Sequence, residues 1–142
     1  MNGGLVVFVD SDVLISSLIS QKGAAYLLLN QTNFKFVISN LSRKESEGVV
    51  DKLNLPKDKF RALVNKRVQL VKLAQTTKEL KIKYKNYTRD PNDTHIVAGA
   101  ALAKASFLIT YNTRDFKIDE IKTDFGIICL TPAQFLQYLR SL

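Results

Sequence analysis

Residues that build disulfides and zinc sites are scarce in this sequence, which contains one cysteine, one histidine and no tryptophan. A single thiol cannot form an internal disulfide, and Cys129 lies in an apolar run, so we expect a buried core residue in a reducing compartment. Zinc sites that need two or more histidines are excluded, because His95 is the only histidine. We expect His95 to be a hydrogen-bonded residue at the surface or at the rim of a site rather than a general base.

Signatures of several common enzyme and membrane classes are also missing. The sequence has no G-x-S-x-G elbow, no phosphate-binding loop of the Walker type and no G-x-G-x-x-G. These absences argue against serine hydrolases and nucleotide-binding domains built on those motifs. The first residues lack a secretory signal pattern, and no apolar run reaches the length of a membrane span. We therefore expect a cytoplasmic protein that does not enter a membrane.

Acidic residues are few in the middle of the chain. Residues 35–89 contain 15 Lys and Arg against 5 Asp and Glu, whereas the rest contains 6 against 8. A basic segment of this kind favours an anionic partner, most simply nucleic acid, slightly over a merely solvated surface. The candidates for nucleic-acid contacts are Arg43 and Lys44, beside Glu45, and Arg89, beside Asp90.

Short apolar runs alternate with helical periodicity along the chain. The runs predict strands at residues 5–9, 34–38, 106–110 and 127–130, and the alternating residues 80–84 predict an edge strand. Helices are predicted at residues 13–19 and 24–29, after a cap at Asn40 or Ser42, from Pro56 toward Leu70, from Asp90, and from Pro132. Strands separated by helices indicate an α/β fold, a three-layer α/β/α domain with a mainly parallel central sheet. No linker divides the chain, so we expect one domain over residues 1–142.

Acidic side chains follow the predicted strands or lie near their carboxyl ends, where active sites form in parallel α/β sheets. These residues are Asp10, Asp12, Glu45, Asp90, Asp93 and Asp115, together with Asn112. Clustered carboxylates repel each other and persist mainly where a cation neutralises them. Oxygen ligands favour hard ions such as Mg²⁺ or Mn²⁺, which assist phosphodiester hydrolysis. The pattern therefore indicates a metal-dependent phosphodiesterase.

Each acid also has a structural interpretation. Asp90, before Pro91, is a good helix cap, and by this pattern alone capping is the better interpretation. Asp12 suits a cap as well, Asp115 suits a turn, and Glu45 lies among charged neighbours and has no distinctive pattern. Asp10 is different, because a carboxylate at the end of five apolar residues is costly to bury without a partner or a metal.

Four segments together resemble a known family. Residues 7–16 resemble the opening motif of PIN (PilT N-terminus) domains, in which a strand-end aspartate precedes Ser or Thr. Residues 89–98 and 109–116 are similar to the third and fourth motifs of one PIN branch, and residues 126–136 are similar to its tail. Residues 37–50, which include Glu45, match the second motif more loosely. The resemblance is in order and spans nearly the whole chain.

The resemblance implies a metal-dependent endoribonuclease of the VapC-like branch, the toxins of type II toxin–antitoxin pairs. It implies that Mg²⁺ or Mn²⁺ is held by Asp10, Glu45, Asp93 and Asp115, with secondary positions at Ser11, Asp90 and Asn112. Relatives of this kind bind a cognate antitoxin protein and commonly form homodimers. The sequence departs from the family pattern at Asp12, where Asn is usual, and at Asn112, where many PIN domains carry Asp.

Two other functions stay open at this point. One is a PIN-like domain that binds RNA or a protein and cleaves weakly or not at all, which Asn112 favours. The other is an RNA-processing or structure-specific nuclease that is not a toxin, although no insertion typical of such enzymes is visible in the sequence.

Overall fold

Five short parallel strands form the central sheet. They are β1 (Val6–Val9), β2 (Lys35–Ser39), β3 (Val68–Val71), β4 (Phe107–Ile109) and β5 (Ile128–Leu130), in the order β3-β2-β1-β4-β5. Every neighbouring pair in this order is parallel. The structure is a computed structural model that describes residues 4–31 and 33–142. The predicted mainly parallel sheet is confirmed.

Eight α-helices surround the sheet in the part of the chain that the structure describes. They are α1 (Ser11–Ile19), α2 (Ala24–Leu29), α3 (Asn40–Lys52), α4 (Lys57–Arg67), α5 (Thr77–Lys83), α6 (Thr94–Leu102), α7 (Ile118–Phe125) and α8 (Pro132–Arg140). Single 3₁₀ turns occur at Lys85–Tyr87, Pro91–Asp93 and Thr113–Asp115.

Alternate side chains of the strands fill two separate cores. Val7 and Val9 pack on one face of β1 with helices α1, α2, α4 and α8. Phe8 packs on the opposite face with α5, α6 and α7. Because a parallel sheet is joined by helical crossovers, both of its faces are covered and its strands are apolar on both sides. The predicted three-layer α/β/α architecture is therefore confirmed.

The predicted edge strand at residues 80–84 is wrong, since these residues lie in and directly after helix α5. Leu80 and Tyr84, four residues apart, are 0% and 9% exposed, so they form one buried helical stripe. Thr76 caps the helix, and Glu79 completes a capping box. Over five positions, alternating apolar and basic residues are compatible with a strand and with a helix. The cap at Thr76 favours the helix.

Two elements were not predicted. The helix predicted from Pro56 toward Leu70 ends at Arg67, and β3 begins at the next residue without a turn between them. Helix α7 carries the buried Ile121 and ends at Gly126, whose φ of 69° lies in the left-handed region that favours glycine. Both elements are short, and neither is preceded by a strong signal.

The cap of α3 is Ser39, not Asn40 or Ser42 as predicted. The Ser39 side chain accepts a hydrogen bond from the Ser42 backbone N–H at 3.0 Å. Asn40 instead exchanges two side-chain hydrogen bonds with the backbone of Leu73. Strand β2 therefore leads into α3 without a loop, and this direct connection holds Glu45 in the second turn of α3, close to the edge of the sheet.

Helix α6 lies unusually close to the sheet at Gly99. A Cβ atom at this position would lie 2.7 Å from the Phe8 ring, which is closer than real Cβ contacts. Only glycine therefore permits this approach of α6 to β1. The close packing fixes the start of α6, where Asp93 lies, relative to the end of β1, where Asp10 lies.

The structure also bears on two predictions about apolar segments. Cys129 is buried, as predicted, and burial raises the pKa of its thiol to about 12. Within residues 4–31 and 33–142, no helix is long and apolar enough to cross a membrane.

Candidate metal centre

The site lies where the order of the strands changes direction. Strand β1 pairs with β2 on one side and with β4 on the other, so the crossovers leave in opposite directions and open a crevice at their carboxyl ends. Asp10 follows β1 at this point, and Thr110 follows β4. The Asp10 backbone N–H donates to the Ile109 carbonyl at 2.9 Å, so the ladder continues into the site.

Asp10 is held rigidly by its neighbours. Its side chain is 7% exposed and caps α1, where Oδ1 accepts from the Ser11 N–H at 2.7 Å. The Thr110 hydroxyl donates to Oδ2 at 2.8 Å. Burial, reinforced by the negative charge of Asp12, raises the pKa of Asp10 to about 7. Without a cation, charge on this carboxylate is therefore costly.

Asp12 lies within the same site. Its Oδ2 accepts from the Tyr111 N–H at 3.1 Å, while Oδ1 is buried and has no hydrogen-bond partner among the described residues. Burial raises the pKa of Asp12 to about 6, and the charge of Asp93 adds to the shift. The sequence marks Asp12 as a departure beside the site, and the structure makes it one of the carboxylates that line it.

The two acids around Pro91 lie in different surroundings. Asp90 is exposed, and its Oδ1 accepts from the Asn92 N–H at 2.9 Å, so it caps the 3₁₀ turn that leads into α6. Asp93 is partly buried, and burial together with the charges of Asp10, Asp90, Asp115 and Glu45 raises its pKa to about 7. Capping by Asp90 and clustering of Asp93 with the other acids are thus separate features.

Glu45 extends from α3 toward these acids. The Ser11 hydroxyl donates to Glu45 Oε1 at 2.8 Å, and His95 Nε2 lies 3.3 Å from Glu45 Oε2. The interaction with His95, and then the hydrogen bond from Ser11, lower the pKa of Glu45 despite partial burial. His95 was expected at the surface or at the rim of a site; at 8% exposed it is not a surface residue, and its contact with Glu45 agrees with a place at the rim.

These side chains share one cleft of about 440 Å³. Its polar wall contains Asp10, Ser11, Asp12, Glu45, Asp93 and Asn112, and its apolar wall contains Ile15, Ile19 and Val49. A second depression of about 480 Å³ lies on the other side of Glu45 and is lined by Leu41, Lys44, Glu45, Thr77, Asn92 and His95. Glu45 therefore stands between an acidic cleft and a depression that contains a lysine.

The two polar residues of the fourth motif, Asn112 and Asp115, lie in different places relative to the acidic cleft. Asn112 lines the acidic cleft, whereas Asp115 is not among the lining residues. Asp115 ends the 3₁₀ turn Thr113–Asp115, and its charge still contributes to the raised pKa of Asp93. The structure thus brings Asp10, Glu45 and Asp93 into one cleft and leaves Asp115 at its margin.

The three basic candidates differ in their surroundings. Arg43 pairs with Glu47 at 3.1 Å on the surface of α3, away from the cleft. Lys44 lines the depression beside Glu45 and makes no salt bridge with a described residue. The Arg89 guanidinium donates to the carbonyls of Arg114 and Phe116, so it holds the fourth-motif segment in place. Of the three, Lys44 is the one that lines the depression beside Glu45.

The chemistry of the site fits a hard divalent cation. The cleft offers carboxylate oxygens, and a buried oxygen of Asp12 lacks a donor among the described residues. No three of the described His, Cys, Asp and Glu side chains surround one ion as they stand. Mg²⁺ needs few protein ligands, because it keeps several waters and takes oxygens from its substrate. Asp10, Asp12, Glu45 and Asp93 thus fit such an ion.

Sequence reasoning missed two contributors to the site. Thr110 connects β4 to the acids through its hydrogen bond to Asp10, and a hydroxyl after a strand carries no distinctive signal. His95 contacts Glu45 from α6, and the signal available was its position two residues after Asp93 on a helix that begins at the site. Both depend on which strands and helices are neighbours, which the sequence does not show directly.

A profile of the PIN domain family matches residues 6–114. No curated protein sequence matches the chain. Among solved structures, a toxin–antitoxin complex from Klebsiella pneumoniae shares 22% identity, with a TM-score of 0.64, covering 89% of this chain and 97% of that chain.

Two further complexes have the same fold. VapBC2 from Rickettsia felis, bound to a DNA fragment from its promoter, shares 16% identity with a TM-score of 0.60, covering 89% of this chain and 98% of its own. VapBC-1 from nontypeable Haemophilus influenzae shares 18% identity with a TM-score of 0.61, covering 91% and 99%. At these identities the likeness concerns the fold.

Proposed function

The chain belongs to the PIN domain family, and from this premise we propose that it is a divalent-metal-dependent endoribonuclease, the toxin of a toxin–antitoxin pair. The observation that carries the proposal is the convergence of Asp10, Glu45 and Asp93, from three separate segments, on one cleft at the carboxyl edge of the sheet. Two of these three acids, Asp10 and Asp93, have pKa values raised to about 7 by burial and by neighbouring acids. Such a cluster is expected at a functional site that receives a cation.

We assign the ion to Asp10, Glu45, Asp93 and Asp115, with Asp12 as an additional oxygen donor. Ser11 and Thr110 orient the carboxylates of Glu45 and Asp10 by hydrogen bonds. Asp90 and Asn112 have secondary roles, the first as a cap and the second as an amide in the wall of the cleft. Asp115 serves from the margin of the site.

The residues of the chain bind and orient the scissile phosphate, and the ion supplies the charge. Asp10, Glu45 and Asp93 would hold Mg²⁺ or Mn²⁺, which when bound would supply positive charge for the phosphate and lower the pKa of water. A carboxylate of the cleft accepts the proton of the attacking water, and the apolar wall formed by Ile15, Ile19 and Val49 restricts bulk water. Lys44, beside Glu45, contacts the phosphate backbone of the RNA.

An antitoxin partner and a homodimer belong to the same proposal. All three similar structures named above are complexes of toxin and antitoxin. A nuclease of this kind acts on RNA in the cytoplasm and therefore needs a cognate inhibitor.

A second candidate is a PIN domain that binds RNA or a protein without efficient cleavage. Two observations favour it: Asn112 replaces a carboxylate in the wall of the cleft, and no described triad of ligands is preformed. The two candidates differ in whether RNA is cleaved when metal is present.

Metal removal tests the proposal directly. Purified protein incubated with varied single-stranded RNAs is expected to cleave in Mg²⁺ or Mn²⁺ and to lose cleavage completely in excess chelator, because the carboxylates alone repel a phosphate. Gel electrophoresis of labelled RNA measures the products. Restored cleavage after the metal is returned excludes irreversible unfolding. Cleavage that persists in chelator contradicts the metal mechanism, and absence of cleavage under all conditions favours the second candidate.

The basic residues allow a separate prediction about RNA affinity. Lys44→Ala is expected to weaken RNA binding and to flatten its salt dependence by about one unit of log–log slope, since one phosphate contact is lost. Arg43→Ala is the matched control, because Arg43 lies next in sequence but pairs with Glu47 away from the cleft. Fluorescence anisotropy across a salt series measures both variants. If both variants weaken RNA binding equally, the positive charge of α3 attracts RNA at long range and Lys44 makes no particular contact.

A further inference from the structure

His95 is a buried histidine whose imidazole contacts an acid of the proposed metal centre. It is 8% exposed, and its Nε2 lies 3.3 Å from Glu45 Oε2, just beyond the usual N–H···O hydrogen-bond distances. The other carboxylate oxygen, Oε1, accepts the Ser11 hydroxyl at 2.8 Å. Glu45 is therefore contacted from two sides, by Ser11 at the start of α1 and by His95 in the first turn of α6.

The tautomer of the neutral imidazole follows from its other nitrogen. Nδ1 is buried and has no hydrogen-bond partner among the described residues. A proton on Nδ1 would leave a buried donor unsatisfied, which costs more than an acceptor without a donor. The neutral ring therefore carries its proton on Nε2, where it is directed at Glu45.

The position of His95 in the fold connects two of the proposed ligands. His95 is two residues after Asp93 on the segment that starts α6, while Glu45 lies on α3. Glu45 is half exposed, with a side-chain exposure of 47%, and a long side chain on a helix surface adopts many rotamers unless it is held. Without His95, the Ser11 hydroxyl would be the one remaining side-chain donor to Glu45 among residues 4–31 and 33–142.

We infer that His95 is a positioning residue, which donates from Nε2 to Glu45 and restricts the Glu45 carboxylate to the cleft that it shares with Asp93. The inference rests on the proposed function, because it takes Glu45 and Asp93 as ligands. Residues that hold a ligand in this manner usually contribute about 10- to 100-fold to metal affinity or activity. His95 acts through Glu45 and has no contact with the phosphate.

A pair of polar substitutions separates this role from a general structural one. In His95→Gln the side-chain amide nitrogen reaches the place of Nε2 and can still donate to Glu45. In His95→Asn the amide reaches only the place of Nδ1, so the donor is lost although the residue stays polar. His95→Leu removes both nitrogens while it fills the same buried space.

The measurements are Mn²⁺ affinity, obtained by electron paramagnetic resonance of free Mn²⁺, and the melting temperature of each variant. We expect His95→Asn and His95→Leu to weaken Mn²⁺ binding about 10- to 100-fold. His95→Gln is expected to stay within about threefold of the unsubstituted protein, as a retained hydrogen bond predicts. RNA affinity in chelator should be unchanged in all three, because each variant keeps Lys44, the proposed RNA contact. The kcat of His95→Asn and His95→Leu should fall while KM does not.

Wild-type protein and Glu45→Gln distinguish failure of this inference from failure of the proposed function. If Mn²⁺ does not bind, or if Glu45→Gln binds it equally well, the assignment of the metal centre is wrong. If Glu45→Gln weakens binding but His95→Asn does not, the positioning role of His95 is wrong and the metal centre stands. If His95→Gln is as impaired as His95→Asn, packing rather than the donor is important, which also overturns the inference.

Discussion

Asp10→Asn is expected to abolish RNA cleavage and yet to leave the metal-free protein as stable as before, or more stable. A metal ligand contributes several kcal/mol to the transition state, and each 1.4 kcal/mol is about tenfold in rate, so we expect a loss of about a thousandfold or more. The hydrogen bonds of the residue survive, because Asn accepts from the Ser11 N–H as a cap and the Thr110 hydroxyl can rotate to accept from its amide.

The gain in stability depends on pH in a defined direction. In the folded protein burial raises the pKa of Asp10 from 3.8 to about 7, whereas in the unfolded chain Asp10 ionises near the lower value. The folded state therefore binds more protons between these values, and the free energy of unfolding decreases as pH rises through this range. Asn does not ionise, so the variant avoids this loss, which amounts to at most about 4 kcal/mol above pH 7.

Thermal denaturation in chelator at about pH 4 and about pH 8 tests both parts of this prediction. The two proteins should melt at similar temperatures at the lower pH, and the variant should melt several degrees higher at the upper pH. Added Mg²⁺ should stabilise the wild-type protein more than the variant, since it binds the folded carboxylates. A large loss of stability in the variant at both values would mean that Asp10 is a structural acceptor and not a ligand.

The edge of the site formed by β1 was predictable from the sequence because its signal is local. Five apolar residues followed by Asp10 predict a buried strand that ends in a charge, and the structure has both. Asp93 was predictable for a similar reason, since Asp90 and Pro91 mark the start of a helix by themselves. In each case the physical requirement, a cap or a buried charge, is contained within a few adjacent residues.

Contacts between distant segments were not predictable in this manner. The hydrogen bond from Thr110 to Asp10 joins residues 100 positions apart and exists only because β1 and β4 are neighbours in the sheet. The contact of His95 with Glu45 likewise requires α3 and α6 to approach the same edge. Asp115 and Asn112 were both predicted near the metal after β4, and the sequence did not show that Asn112 lines the cleft while Asp115 lies at its margin.

Segments with two compatible patterns were also decided by tertiary structure. The residues from Leu80 to Tyr84 alternate as a strand would, but the core between α5 and α6 buries both ends of this segment on one helical face. β3 contains only two residues with partial or full burial, Val68 and Val71, so its strand character depends on pairing with β2. The hydrophobic period and the propensities of the residues predict a short helix or strand poorly, because packing contributes most of the stability of such an element.

Asp93→Asn is expected to lower RNA cleavage strongly and Asp90→Asn to leave it almost unchanged, although the two acids are only three residues apart. Asp90 accepts from the Asn92 N–H and caps the turn, and Asn caps about as well as Asp, so Asp90→Asn should keep its fold and stay within about threefold in cleavage. Asp93 makes no side-chain cap, and its pKa is raised to about 7 by burial and by four neighbouring acids. Asp93→Asn should therefore lower cleavage and Mn²⁺ affinity by about a hundredfold or more, as the loss of a charged ligand predicts.

The stability of the metal-free variants makes the distinction independent of catalysis. Asp93→Asn removes a charge that is unfavourable in the folded state above about pH 4, so its melting temperature in chelator should be equal to or above that of the wild-type protein. Asp90→Ala, which removes the cap, should instead lose about 1 kcal/mol of unfolding free energy, while Asp90→Asn should not. Equal losses of metal affinity in Asp90→Asn and Asp93→Asn would contradict this division, because the negative charge of the turn as a whole, rather than the position of one carboxylate, would then bind the ion.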